Sequence, residues 1–195
     1  MRVHNVHTRE ITAPPEDVGV LLDGLGSEHD RLWPTDRWPT TPFELDGPLA
    51  VGTRSSQGQI HQVVQQYEPG RLLVLRFAPG LGLVDTHRLE LEPVGSDRTR
   101  LIHTLDCRVE PKLLPLYPIL IRQHDVLVED LFDRAQLVTT GHVDRPARWP
   151  LSVRLANAAE VRIAVIGSRW RRQGGRGPGP RRGSASSRAV SRRGR

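Results

Sequence analysis

From about residue 51 to residue 110 the chain is a succession of short β-like runs joined by tight connections, and no other feature limits its fold as strongly. The runs fall near 51–56, 59–68, 71–78, 84–92 and 99–110. Pro69-Gly70 supplies a turn between the second and third, and Gly95-Ser96-Asp97 one between the fourth and fifth. Connections this short join antiparallel neighbours, because a parallel partner needs a crossover of a dozen or more residues. A meander of this kind buries one face, so alternation identifies the inside. In the fourth run Asp85, His87, Leu89 and Leu91 share a face against Thr86, Arg88, Glu90 and Glu92. In the fifth, Leu101, His103, Leu105, Cys107 and Val109 oppose Arg100, Ile102, Thr104, Asp106 and Arg108. In the second, His61, Val63, Gln65 and Tyr67 compete with Ile60 and Val64, and the pattern leaves both phases open.

The meander needs a cover. Residues 119–139 predict one long helix with Leu120, His124, Leu127, Leu131, Ala135 and Val138 on a single stripe. Arg122, Glu129, Asp133 and Gln136 fall mostly elsewhere, and Glu129 and Asp133 read as part of a solvated face. A sheet with one apolar face and a helix with one apolar stripe bury them against each other, which gives an α+β architecture. Upstream, residues 2–12 have strand-like content with untidy alternation. Ala13-Pro14-Pro15-Glu16-Asp17 then opens a helix with Val18, Leu21, Leu22 and Leu25 inside. Residues 27–33 predict a second short helix with Ser27 as N-cap. Pro34, Pro39, Pro42 and Pro48 mark a loop with an edge strand at Phe43–Leu45. After a linker, residues 151–167 predict another helix, with Val153, Ala156, Ala159, Ile163 and Ile166 inside.

Charge divides the chain. Residues 1–150 carry 16 basic and 21 acidic side chains, whereas 151–195 carry 12 basic and one acidic, Glu160. The excess of six positive charges therefore belongs to the end of the chain, and the body is not a basic nucleic-acid-binding globule. The Arg/Gly/Ser-rich residues 168–195 have too little apolar surface to offset the entropy of ordering and are expected to be disordered. Their charge suits an anionic membrane or a nucleic acid as partner. The single cysteine, Cys107, excludes an intramolecular disulfide and a cysteine-based zinc site. No secretory-type apolar run or membrane-length segment occurs, so a soluble, cytoplasmic protein is expected. Walker A, Gly-x-Gly-x-x-Gly, Gly-x-Ser-x-Gly and His-Glu-x-x-His patterns are all missing, so no cofactor and no metal is expected.

Several motifs resemble the START/Bet v 1-like (SRPBCC) superfamily in the order in which they occur. Ala13-Pro14-Pro15-Glu16-Asp17-Val18 resembles the start of its first helix. Tyr67-Glu68-Pro69-Gly70-Arg71-Leu72 resembles its strand-turn-strand signature, and Thr86-His87-Arg88-Leu89-Glu90-Leu91 with Thr99-Arg100-Leu101 the next hairpin. Arg31-Leu32-Trp33-Pro34 to Arg37-Trp38-Pro39, with Ile121-Arg122-Gln123-His124-Asp125, is similar to a bacterial polyketide cyclase/dehydrase and lipid-transport-like subgroup. The likeness covers about residues 2–140. It departs at Asp85, where comparable members often carry Gly.

The resemblance implies a helix-grip fold over residues 1–142: a curved antiparallel sheet wrapped around a long C-terminal helix, with two short helices after the first strand. Residues 143–167 are then a linker with a short helix, and 168–195 the tail. It also implies a cavity between sheet and long helix for a hydrophobic small molecule: a lipid, polyketide or aromatic metabolite. The expected lining is Trp33, Trp38, Phe77, His87, Leu89, Leu91, Leu101, His103, Leu105, His124, Leu127 and Leu131. Three functions remain open. One is binding or carriage. Another is a cyclase, aromatase or dehydratase, with His87 or His103 as general acid/base. The third is tail-mediated adaptation to an anionic surface. Against the first two stands the reading that the histidines are hydrogen-bonded core residues and the tryptophans cap the core; against the third, that the tail is a solubilising extension that does little.

Overall fold

The computed structural model describes residues 1–161. The expected tail at 168–195, its partners, and Ile163 and Ile166 lie outside the described residues. Strand β1 (Arg2–Ile11) leads into helix α1 (Pro15–Asp23). A loop follows, then β2 (Phe43–Leu45), β3 (Arg54–Gln57), β4 (Ile60–Glu68), β5 (Leu72–Phe77), β6 (Leu83–Pro93) and β7 (Thr99–Val109). A single turn of tight helix at Pro111–Leu113 precedes the long helix α2 (Tyr117–Thr140). Residues 151–161 are helical. No helix among the described residues is long and apolar enough to cross a membrane.

The seven strands form one antiparallel sheet in the order β1-β7-β6-β5-β4-β3-β2, so only β1 reaches across the chain to pair with β7. The inside faces read for β6 and β7 hold from Leu89 and Leu91 through Leu101, His103, Leu105, Cys107 and Val109. Strand β4 explains its own ambiguity. Its register shifts between Val64 and Gln66, so Gln62 and Val64 point inward before the bulge and the phase changes beyond it. No single alternation fits such a strand.

Three expectations need correction. Residues 27–33 form turns, not a second short helix. Asp30 is the reason: its carboxylate accepts from the backbone N–H groups of Leu32 (2.8 Å), Trp33 (2.9 Å) and Gly26 (2.8 Å), a local alternative to helical bonding. Asp85 does not join the inward face of β6. It has φ of 89°, the one positive value among the described non-glycine residues, and its side chain turns out to Arg108 (3.5 Å). The glycine expected there from the resemblance is the residue this backbone suits best. In the helix at 151–161 Val153 is buried, as expected, but Ala159 is exposed.

The main core lies where α1 and the C-terminal half of α2 meet the sheet, with Leu22, Leu73, Leu101, Phe132 and Ala135 fully buried. Helix α1 sits close on the β4–β5 turn. A Cβ on Gly19 would stand 2.9 Å from the Gly70 backbone, and Asp23 accepts from Gly70 N (2.6 Å) and the Tyr67 hydroxyl (2.8 Å). A second cluster of Val3, Phe77, Leu105, Cys107 and Val109 lies at the other end. Burial pushes the Cys107 thiol up to about 11, which leaves it protonated and inert.

The Pro-rich loop is tied down by a buried acid. Asp130 of α2 accepts from the indole N–H groups of Trp38 (2.8 Å) and Trp149 (2.9 Å) and pairs with Arg37 (2.6 Å). The two indoles pack with centroids 4.8 Å apart. Asp130→Ala strands both indole N–H groups and Arg37, and should cost about 3 kcal/mol in urea unfolding followed by tryptophan fluorescence. Asp85→Gly should act in the other direction, raising stability by about 1 kcal/mol in the same assay.

Candidate functional site

Strand β1 resolves its untidy alternation once α2 is placed over it. Its inward residues are Asn5, His7 and Arg9, between buried Val3 and Ile11. They meet Asp125, Glu129 and Asp133 of α2. Asn5 Nδ2 donates to Asp125 (3.2 Å), His7 bridges Asp125 (3.2 Å) and Glu129 (2.8 Å), and Arg9 bridges Glu129 (2.6 Å) and Asp133. Two residues of strand rise by ~6.6 Å and four of helix by ~6 Å, so the two sets stay in step. Glu129 and Asp133 are thus not the solvated face expected for them; Asp133 is only 8% exposed.

Both ring nitrogens of His7 face carboxylates, and carboxylates only accept, so His7 is an imidazolium. Hydrogen bonds to Asp125 and then Glu129 raise its pKa to about 9. Burial works against the Asp125 anion, but hydrogen bonds from His124 and His7 hold it below the usual carboxylate range. His7, His124 and Asp125 bring ligand-type atoms within 4.8 Å of one another. Both histidines hydrogen-bond to Asp125 within this cluster.

Beyond the ladder lies a cavity of about 550 Å³ between β3–β7 and the N-terminal half of α2. Six of the expected residues line it: Trp38, Phe77, His87, Leu105, His124 and Leu127. A pocket of about 50 Å³ on its inner side is bounded by Trp33, Leu89, His103 and Leu131, and shares His87, His124 and Leu127 with the cavity. Leu91 and Leu101 lie in the main core and touch neither space. Gln62, Tyr117, Leu120, Ile121 and Glu160 also line the cavity and were not singled out for it. Gln62 was hidden by the β4 bulge. Glu160 belongs to the helix at 151–161, where it accepts from Gln123 Nε2 (2.9 Å), while Asn157 bonds to the Arg37 carbonyl (3.1 Å).

The histidines form a chain through the wall. His87 Nδ1 and His103 Nε2 are 3.2 Å apart, and the rings of His103 and His124 stand 5.0 Å apart. His124 Nδ1 lies 3.3 Å from Asp125. Burial pushes the His87 pKa down to about 3, with help from His124, and burial likewise pulls His103 well below the ordinary value. Both are neutral at pH 7. Four buried nitrogens have no hydrogen-bond partner among the described residues: Gln62 Nε2, His87 Nε2, His103 Nδ1 and His124 Nε2.

These charge states set a pH profile. His7, with its pKa raised from 6.5 to about 9, adds stability in full below about 6.5, and that is lost as pH rises through 9. His87, lowered from 6.5 to about 3, adds stability above 6.5 that is lost as pH falls. Asp125 and Glu129, both lowered, add a further loss in acid. The thermal midpoint should therefore peak near pH 6.5–7. His7→Gln should flatten the alkaline limb and His87→Phe the limb just below 6.5, each limb amounting to roughly 1–3 kcal/mol.

No protein-family model and no curated protein matches the sequence. Solved structures do match. A truncated norcoclaurine synthase from Thalictrum flavum aligns over 72% of this chain and 96% of its own, at 19% identity and TM-score 0.55. A protein from Thermobifida fusca solved by NMR aligns over 73% and 98%, at 16% identity and TM-score 0.53. A conserved protein of unknown function from Enterococcus faecalis aligns over 85% and 86%, at 15% identity and TM-score 0.52. With a seven-stranded antiparallel sheet packed against one long helix that follows it, the chain shares its fold with these solved structures, a helix-grip fold.

Proposed function

We propose that the protein binds a neutral, largely apolar small molecule in the cavity between the sheet and α2. One observation carries this reading: a space of about 550 Å³ whose apolar walls hold a few buried, unpartnered nitrogens. Ligand sites are typically concave spaces of ~300–1,000 Å³, mostly apolar, with a few polar groups that fix orientation. A buried nitrogen without a partner costs roughly 1–3 kcal/mol, which a bound polar group recovers. Apolar contact then supplies affinity at about 25 cal/mol per Å² of surface removed from water.

The walls also bear on ligand charge. Among the described residues no lysine or arginine lines the cavity, and its one charged lining residue is Glu160, already bonded to Gln123. A carboxylate or phosphate would lose its hydration with no cation to replace it. A lipid headgroup of that kind is therefore disfavoured, and an uncharged polyketide or aromatic metabolite favoured.

N-phenyl-1-naphthylamine, an uncharged apolar fluorophore, tests the reading. It should bind saturably at one site per chain with enhanced fluorescence. Leu127→Trp, which fills the cavity from α2, should weaken binding at least tenfold while the far-ultraviolet dichroism stays unchanged. Unsaturable binding, or equal binding to the folded Leu127→Trp variant, would sink the proposal.

A further inference from the structure

Taking the cavity as a ligand site, we infer that its occupant carries an acidic O–H, a phenol or an enol, and donates it to His124 Nε2. Asp125 is the positioning residue that fixes the imidazole for this bond. The inference follows from where the protons on this part of α2 must sit. Asp125 accepts from Asn5 Nδ2 and from the His7 imidazolium, so it is an anion. His124 Nδ1 points at the same carboxylate oxygen at 3.3 Å and must carry a proton to bond to it. A neutral imidazole protonated at Nδ1 offers a lone pair at Nε2.

That Nε2 is buried, has no partner among the described residues, and belongs to a residue lining the cavity. It faces apolar walls, with the His7 ring behind it (centroids 6.2 Å apart) and the His103 ring beside it (5.0 Å). The cavity therefore presents an acceptor on its helix side. A phenol or enol is the neutral group that satisfies it best, because its O–H is a strong donor and its remaining atoms are apolar. From the sheet side, Gln62 offers a complementary donor. Its carbonyl accepts from Ser55 (3.3 Å), which leaves its unpartnered amide N–H groups for an oxygen of the same ligand.

A matched pair of probes tests this on the full chain. 2-Naphthol and 2-methoxynaphthalene share one ring system, and only the first can donate. Calorimetric titration at pH 7 should show 2-naphthol binding about tenfold more tightly than the ether. His124→Leu should bring the two affinities within about twofold of each other. Asp125→Asn should lower the preference in the same way with His124 still present. A purely structural loss would weaken both probes together and leave their ratio alone. Equal binding of the two probes to the unaltered protein, or an unchanged ratio in the folded His124→Leu variant, overturns the inference and leaves the cavity reading standing. Failure of both probes to bind overturns the cavity reading and this inference with it.

Discussion

Three carboxylates of α2 set against three donors of β1 fix where the helix can stand. Asp125, Glu129 and Asp133 recur every fourth residue, and Asn5, His7 and Arg9 every second. Their rises nearly coincide, so three successive contacts form without bending either element. A one-residue slip of β1 would put His4, Val6 and Thr8 under the acids and strand them. The ladder thus fixes register and standoff together, which an apolar interface, being non-directional, cannot do alone. Such partly buried ion pairs add modestly to net stability, and their larger role is to choose one arrangement among several. Beside the ladder the helix cannot settle further onto β6 and β5. The cavity is what remains there.

The two halves of α2 show the consequence. Its C-terminal half brings Val128, Leu131, Phe132 and Ala135 into a core with almost no exposed surface. Its N-terminal half turns Tyr117, Leu120, Ile121 and His124 toward open space. One stripe of sequence therefore serves two purposes along its length, packing at one end and lining at the other. Closing the space would require larger side chains at Leu105 and Leu127. The chain has instead kept medium-sized leucines around several polar atoms, and folding alone leaves those atoms unsatisfied. Stability does not favour that choice. A ligand does.

Much of this was legible from residue pattern. From His87 onward in β6, and through most of β7, the alternation was visible because each presents one wetter face, and His87 and His103 followed their leucines inward. The stripe on α2 was visible for the same reason. What was not legible came from groups whose role depends on a distant partner. Glu129 and Asp133 look solvated until Arg9, more than a hundred residues away in sequence, is laid beneath them. Asp30 resembles one more polar residue in a helix, yet three backbone amides converge on it and end helical bonding. Gln62 sits behind a bulge that shifts the phase of β4, and bulges leave no periodic mark. Asp85 is the instructive case. Alternation put it inside, but a single residue with φ of 89° turns a side chain outward whatever the pattern on either side.

The histidines separate into two electrostatic populations across one helix face. His7 is held charged by two carboxylates, whereas His87 and His103 are held neutral by burial. Asp125 stands between them. It balances His7 on one side and takes the Nδ1 proton of His124 on the other, so the imidazolium's field is largely spent before it reaches the cavity. Without that carboxylate, a cation near the wall would favour an anionic occupant and oppose protonation of any cavity imidazole. With it, the helix side of the cavity meets oriented dipoles rather than the imidazolium's charge. The same contacts that set the height of α2 above the sheet therefore also set the polarity of the space beneath it, and geometry and chemistry at this site have a common origin in the pairing of β1 with one face of the helix.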